Sequence, residues 1–272
     1  MKIHKWKPKL FKIAVAAMGA IAWGAVSAQG VVDTKHNLGT TAGADKAATF
    51  SGTGEICVFC HTPHGSDTTA AVPLWNKTLP VATTFTTYNS TAATATTSID
   101  GEIVDVGSVS IACLSCHDGV QAMDSVINAP GSGLAGNATW QGGAWTLGNL
   151  DGVMTGVAAL GQDLTDDHPI GVQYGGGGMT ATNVNGTLND ADFKTTLNDV
   201  INGTTVWWVE TGGNTTREKT DMQLYTRIAG TVTEAQPFVE CASCHDPHSD
   251  TNDTFLRISN AGSAVCLACH TK

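Results

Sequence analysis

Three stretches of the chain show a hydrophobic pattern that predicts a structural element. Ile13 to Val26 is apolar, follows five lysines and is succeeded by small residues, which indicates a secretory signal peptide over residues 1–28 rather than a membrane anchor. Residues 192–202 carry apolar side chains at helical spacing before an Asn-Gly pair, which predicts a short helix. Residues 204–210, centred on Val-Trp-Trp-Val, predict a strand.

Between these stretches, residues 129–182 are rich in glycine, including the run Gly175 to Gly178, and little regular structure is expected there. The mature methionines, Met123, Met154, Met179 and Met222, have no motif-like placement and are predicted to be packing residues.

Removal of the signal peptide changes the charge of the chain. Its five lysines leave nine basic against 24 acidic residues, a net charge of about −15. This acidity excludes the usual electrostatic footprint of a nucleic-acid-binding protein. No later stretch is apolar for long enough to span a bilayer. We therefore expect an exported protein with no nucleic-acid partner and no membrane span.

All eight cysteines fall into four Cys-x-x-Cys-His motifs, the attachment site of c-type haem, in which two thiols bind the porphyrin covalently and the His binds the iron. Disulfides or structural zinc would use the cysteines, but neither explains a His after every second Cys. We therefore predict four covalently bound haem c groups. The predicted attachment residues are Cys57, Cys60, Cys113, Cys116, Cys241, Cys244, Cys266 and Cys269, and the proximal iron ligands are His61, His117, His245 and His270.

The mature chain has four further histidines, one for each haem, namely His36, His64, His168 and His248. The equal counts predict a second histidine ligand at every iron, with no open position. Motifs one and three continue as Cys-x-x-Cys-His-x-Pro-His, whereas motifs two and four do not. A two-haem unit therefore occurs twice, each with a leading free histidine, a long motif and a short motif.

The reach of the chain limits which free histidine serves which haem. Three residues extend at most about 10 Å, which is too short for His64 to bind the iron that His61 already binds. The economical assignment gives His64 to the haem of His117 and His248 to the haem of His270. His36 and His168 then complete the haems of His61 and His245, although His36 lies on a Gly/Thr-rich lead that would also reach a neighbouring molecule.

Several segments resemble the multihaem cytochromes c with paired CxxCH motifs and, within that group, the tetrahaem cytochromes that polymerise into extracellular filaments on metal-reducing bacteria. The resemblance implies that a histidine of one subunit completes a haem of the next, and His36 is the candidate for that role. The segments are residues 54–56, 73–76, 113–119, 167–171 with Tyr174, 240–248 and 255–257.

The expected fold is a multihaem cytochrome c, mostly coil with short α-helices and few short strands wrapped around four haems. The expected organisation is a signal peptide at 1–28 and one tetrahaem domain at 29–272. That domain comprises a two-haem unit at 29–128, an insert at 129–239 that contributes His168, and a two-haem unit at 240–272.

The expected function is non-enzymatic electron transfer outside the cytoplasm, with self-association into a conductive filament at the cell surface. Redox proteins or minerals would be the donors and acceptors. Two alternatives stay open: a soluble monomeric periplasmic carrier, and a multihaem reductase with one open haem site.

Overall fold

The computed structural model describes most of the chain that follows the predicted signal peptide. The described ranges are residues 30–39, 54–88, 99–123, 125–128, 153–228 and 230–272. The signal peptide and residues 129–152 of the predicted insert lie outside these ranges. Within them, no helix has the length and hydrophobicity that a bilayer crossing requires.

An antiparallel sheet of five strands organises the region between the second and third motifs. Its spatial order is β1-β5-β4-β3-β2, and every pairing is antiparallel. The strands are β1 (Val172–Gln173), β2 (Leu197–Ile201), β3 (Thr204–Val209), β4 (Met222–Arg227) and β5 (Gln236–Val239). The β3 strand confirms the prediction for residues 204–210.

The helix predicted over residues 192–202 is wrong, because the second half of this segment is strand β2. Asn202 and Gly203 both have positive φ, +51° and +79°, and form a two-residue hairpin turn that pairs β2 with β3. An Asn-Gly pair between two apolar runs favours such a turn because its twist matches that of the flanking strands. The pair therefore joins two strands rather than ending a helix.

The expected fold class is also wrong, since the described residues are organised by a sheet rather than by coil and short helices wrapped around cofactors. The five-stranded sheet and three short helices make a mixed fold with protein-lined cores. The largest core packs Trp207, Met222 and Tyr174 together, and all three are at most 1% exposed. Aromatic and β-branched residues on β3 and its neighbours bury each other across the sheet, so this region has a core made of side chains.

The helices carry the CxxCH motifs. They are α1 (Ser110–His117), α2 (Cys241–Cys244) and α3 (Ala264–Cys269), and the first motif forms a 3-10 turn at Cys57–Phe59. The α2 helix follows β5 directly, and α3 packs through Ala268 on the sheet core. The sheet thus positions the third and fourth motifs.

The segment that precedes the second motif joins the sheet at its β1 edge. The main-chain N–H of Val104 donates to Gly171, and Ile103 bridges Val172. Gly175 to Gly178 follow β1 with positive φ throughout, and a Cβ at Gly178 would lie 1.9 Å from the Thr187 carbonyl oxygen. Glycine is therefore required at this crossing, and residues 153–182 otherwise show the predicted scarcity of regular structure.

Candidate haem-binding site

Each CxxCH motif forms a short helical turn that ends at or just before its histidine. The two cysteines of each motif lie three positions apart, so one helical turn places them on the same side. All eight cysteines are free thiols. This is the arrangement that covalent attachment to one porphyrin edge requires.

Three of the motif histidines are oriented by the same hydrogen bond, from ring Nδ1 to a main-chain carbonyl. Each bond is 2.7 Å long: His61 to Pro73, His117 to Ala158 and His245 to Thr254. Histidines that bind metal generally donate their other ring N–H in this way, which fixes the ring and leaves Nε2 free for the metal. These three rings are therefore held ready for axial ligation.

His36 and His117 form the first imidazole pair. Their ring centroids are 6.2 Å apart, and the ring planes meet at 70°. The His36 ring stacks on Phe255 at 4.2 Å, and its Nδ1 lies 3.1 Å from the carbonyl oxygen of Pro247. Burial lowers the pKa of His36 to about 4, so the ring is neutral at pH 7 and Nε2 keeps its lone pair.

His61 and His248 form the second imidazole pair. Their centroids are also 6.2 Å apart, but their planes are inclined by only 20°. The Asp246 carboxylate lies 3.6 Å from Nδ1 of His248, which is too long for the hydrogen bond that orients the motif histidines.

The two pairs test whether the chain fits haem. A histidine nitrogen binds a transition metal at about 2.0 Å, and it lies about 1.1 Å from its ring centre, so two rings on opposite sides of one iron have centres about 6.3 Å apart. The observed 6.2 Å agrees with this separation in both pairs. The residues therefore fit a haem iron with two histidine ligands.

The other four histidines are arranged differently. Burial lowers the pKa of His168, and the charge of His270 lowers it further, so His270 lies near enough to affect it. His245 lies close enough to His36 and His117 to influence the pKa of each. The side chain of His64 is exposed and has no hydrogen bond or ring contact within the described ranges.

This pairing differs from the one predicted from chain reach. That prediction gave His64 to His117, His248 to His270, and His36 and His168 to His61 and His245. The structure instead places His36 at His117, His248 at His61 and His168 beside His270. His248, the free histidine after the third motif, therefore faces His61 of the first motif, because the two units pack into each other rather than side by side.

The thiols of successive motifs are neighbours in space. Interaction with the Cys241 thiol, together with burial, raises the pKa of Cys113. Burial raises the pKa of Cys60 to about 12, and the nearby Cys116 thiol adds to this rise. Burial and the nearby Cys244 thiol likewise raise the pKa of Cys269. The motifs therefore follow one another through space in the order in which they occur in the sequence.

Motifs one and three share a local geometry that supports a repeated unit. In each, a residue beyond the motif histidine donates its main-chain N–H to the second motif cysteine and its side chain to the carbonyl between the cysteines. These residues are Asn76 (2.8 Å to Cys60, 2.6 Å to Val58) and Arg257 (2.8 Å to Cys244, 3.1 Å to Ala242).

Three contributors to the site were missed in the sequence. Lys77 is fully buried beside motifs one and two, Glu240 is buried between motifs two and three, and Phe255 stacks on His36. Glu240 and Phe255 gave a signal, since each lies in a segment that carried the family resemblance, whereas Lys77 gave none. Three of the predicted packing methionines are buried, and Met154 packs on the cluster that contains Met123, as expected.

Comparison with known families supports the same chemistry. Residues 232–272, which contain the third and fourth motifs, match the family described as Doubled CXXCH motif. No curated protein matches the sequence. The matched segment is a covalent haem c attachment region, and haem-based electron transfer is the general function that it carries.

Proposed function

We propose that the chain is a tetrahaem electron-transfer protein that acts outside the cytoplasm and binds one haem c at each CxxCH motif. The observation that carries the proposal is the recurrence of the 6.2 Å imidazole separation at two sites, each joining a motif histidine to a free histidine. Two histidine ligands block access of substrate to iron, which suits electron transfer rather than catalysis. The adjacency of thiols in successive motifs keeps each tunnelling step short.

We further propose that copies assemble into a conductive filament. His36 lies beside His117 of its own chain, so we assign the contact with a neighbouring copy to another histidine. His64 is exposed without a side-chain partner in the described ranges, and neither His245 nor His270 makes a ring contact with a second imidazole there. His270 lies near enough to His168 to affect the pKa of His168, which leaves His245 for His64. In our proposal, His64 of one copy completes the haem of His245 in the next.

Haem content and spin state test the electron-transfer proposal. The purified exported protein should contain four haems per chain by pyridine haemochrome assay and mass spectrometry. In His248→Ala, one haem should lose its second ligand and convert to high spin. In unassembled protein, His64→Ala is the matched control, because its ring has no partner within the described ranges. Fewer than four haems, or an unchanged His248→Ala spectrum, would contradict the proposal.

Assembly is tested separately by electron microscopy of the secreted protein. Filaments are expected from the unmodified chain and not from His64→Ala. Monomeric particles at high concentration would favour a periplasmic carrier instead.

One observation favours a second function. An isolated chain leaves the haem of His245 without a second imidazole, which is the open position that a multihaem reductase needs. A high-spin haem that persists in the assembled protein would support this alternative. A low-spin spectrum on assembly would exclude it.

A further inference from the structure

A lysine ammonium is buried behind the first two motifs. Lys77 is 0% exposed, and its Nζ lies within hydrogen-bond distance of three main-chain carbonyls, at 3.0 Å from Ala122, 3.2 Å from Met123 and 2.9 Å from Ser125. A neutral amine has only two N–H groups, whereas three acceptors require the three donors of the ammonium form. The hydrogen-bond count therefore makes Lys77 positively charged.

No carboxylate compensates this charge within the described ranges. The ion pairs found there join other residues, and the three partners of Lys77 are all neutral carbonyls. Burying an unpaired charge costs several kcal/mol even in a polar cradle. A neutral side chain at position 77 would avoid this desolvation cost, so the positive charge itself is the feature that a function should explain.

The ammonium lies at the junction of motifs one and two. The preceding residue, Asn76, donates its main-chain N–H to the carbonyl oxygen of Cys60 at 2.8 Å, which places Lys77 next to motif one. Met123, whose carbonyl accepts from this ammonium, packs in one cluster with Cys60 and Cys116. Solvent does not reach Lys77 and cannot screen the charge as it screens a surface lysine.

We propose that Lys77 is a fixed buried charge that raises the reduction potentials of the haems attached at motifs one and two. This inference rests on the proposed function. Reduction of ferric to ferrous haem adds one negative charge, so a nearby cation stabilises the reduced form. All three donors of Lys77 are used by carbonyls, so its effect acts through space rather than through a bond to the cofactor.

The size of the effect follows from Coulomb's law. Two unit charges on the order of 10 Å apart at an effective dielectric constant of about 20 change an equilibrium by roughly tenfold. The half-buried Arg257 near Cys244 is a weaker counterpart at motif three, because solvent reaches its side chain. Neutralising Lys77 should therefore shift two of the four haem titrations.

The experiment is a potentiometric titration of the four-haem protein and its variants. Lys77→Gln and Lys77→Met should each lower the equilibrium constant for reduction of two haems by roughly tenfold. Lys77→Arg keeps the charge and should stay within about threefold of the unmodified protein. Lys219→Gln, which removes an exposed lysine, is the matched control and should change nothing.

Three results would overturn the proposal. The first is an unshifted titration in a four-haem Lys77→Gln protein, and the second is a Lys77→Arg shift as large as that of the neutral variants. The third is loss of haem from both neutral variants, which would assign Lys77 to assembly of the fold. Fewer than four haems in the unmodified protein would refute the proposed function instead, so the two failures are distinguishable.

Discussion

The buried carboxylate of Glu240 gives a prediction about the pH dependence of stability. Glu240 is 1% exposed and directly precedes the third motif. Its carboxylate accepts hydrogen bonds from the Ser110 hydroxyl on α1 and, at 3.1 Å, from Arg227 on β4. It therefore joins the second motif, the third motif and the sheet, and Glu240→Gln removes its ability to ionise and one of its two acceptor oxygens.

The magnitude follows from the pKa of this group. Burial raises the pKa of Glu240 from 4.5 to about 7, against the opposing effects of Ser110 and Arg227. The folded protein therefore holds the proton more tightly than the unfolded chain. The resulting stabilisation is fully present below about pH 4.5 and is lost as the pH rises through 7, and this rise in pKa corresponds to about 3 kcal/mol.

The assay is denaturant unfolding of the oxidised haem-loaded protein at several pH values between 4.5 and 8. Relative to Glu240→Gln, the unmodified protein should lose about 3 kcal/mol of unfolding free energy across this interval. Glu234→Gln is the control, because Thr182 lowers the pKa of this exposed carboxylate and any effect should have the opposite sign. Parallel curves for the unmodified protein and Glu240→Gln would refute the reasoning.

Three further predictions concern the ligands and the backbone. The first imidazole pair, whose ring planes meet at 70°, should give a highly anisotropic low-spin electron paramagnetic resonance signal. The second pair, whose planes are nearly parallel, should give a rhombic signal, and a single signal type would contradict this prediction. Gly178→Ala should lower the melting temperature far more than Gly203→Ala, since only the former adds a clash with Thr187 to the strain of positive φ. Asn76→Ala should cost about 2 kcal/mol in chemical unfolding, because it removes the hydrogen bonds of a buried amide with main-chain groups of Val58 and Asn128, and a neutral result would show that water replaces the amide.

The chemistry of the site was predictable from the sequence because it depends on covalent spacing. A Cys-x-x-Cys-His motif indicates haem attachment within five residues. The free histidines were identified by counting the histidines that lie outside the motifs. Their pairing was not predictable, since chain reach only excludes partners that are too close. His248 lies three residues beyond one motif histidine yet faces His61, which is far away in the sequence.

The sheet was partly predictable for a related reason. Strand β3 was evident because Val-Trp-Trp-Val suits a pleated, half-buried surface. Strand β2 was missed because Leu197, Val200 and Ile201 satisfy helical spacing as well, and only the Asn-Gly turn decides between the two structures. Lys77 gave no local signal, because burial of a lysine depends on carbonyls that lie about 45 residues further along the chain.

The sheet also changes what the cofactors contribute to the fold. Trp207, Met222 and Phe238 are each 0% exposed to solvent in a structure made of protein atoms alone, so the core beneath the third and fourth motifs is complete without porphyrin. Cys57 and Cys266, by contrast, are exposed at the outer motifs. The sheet therefore supports the third and fourth motifs through the packing of protein side chains alone.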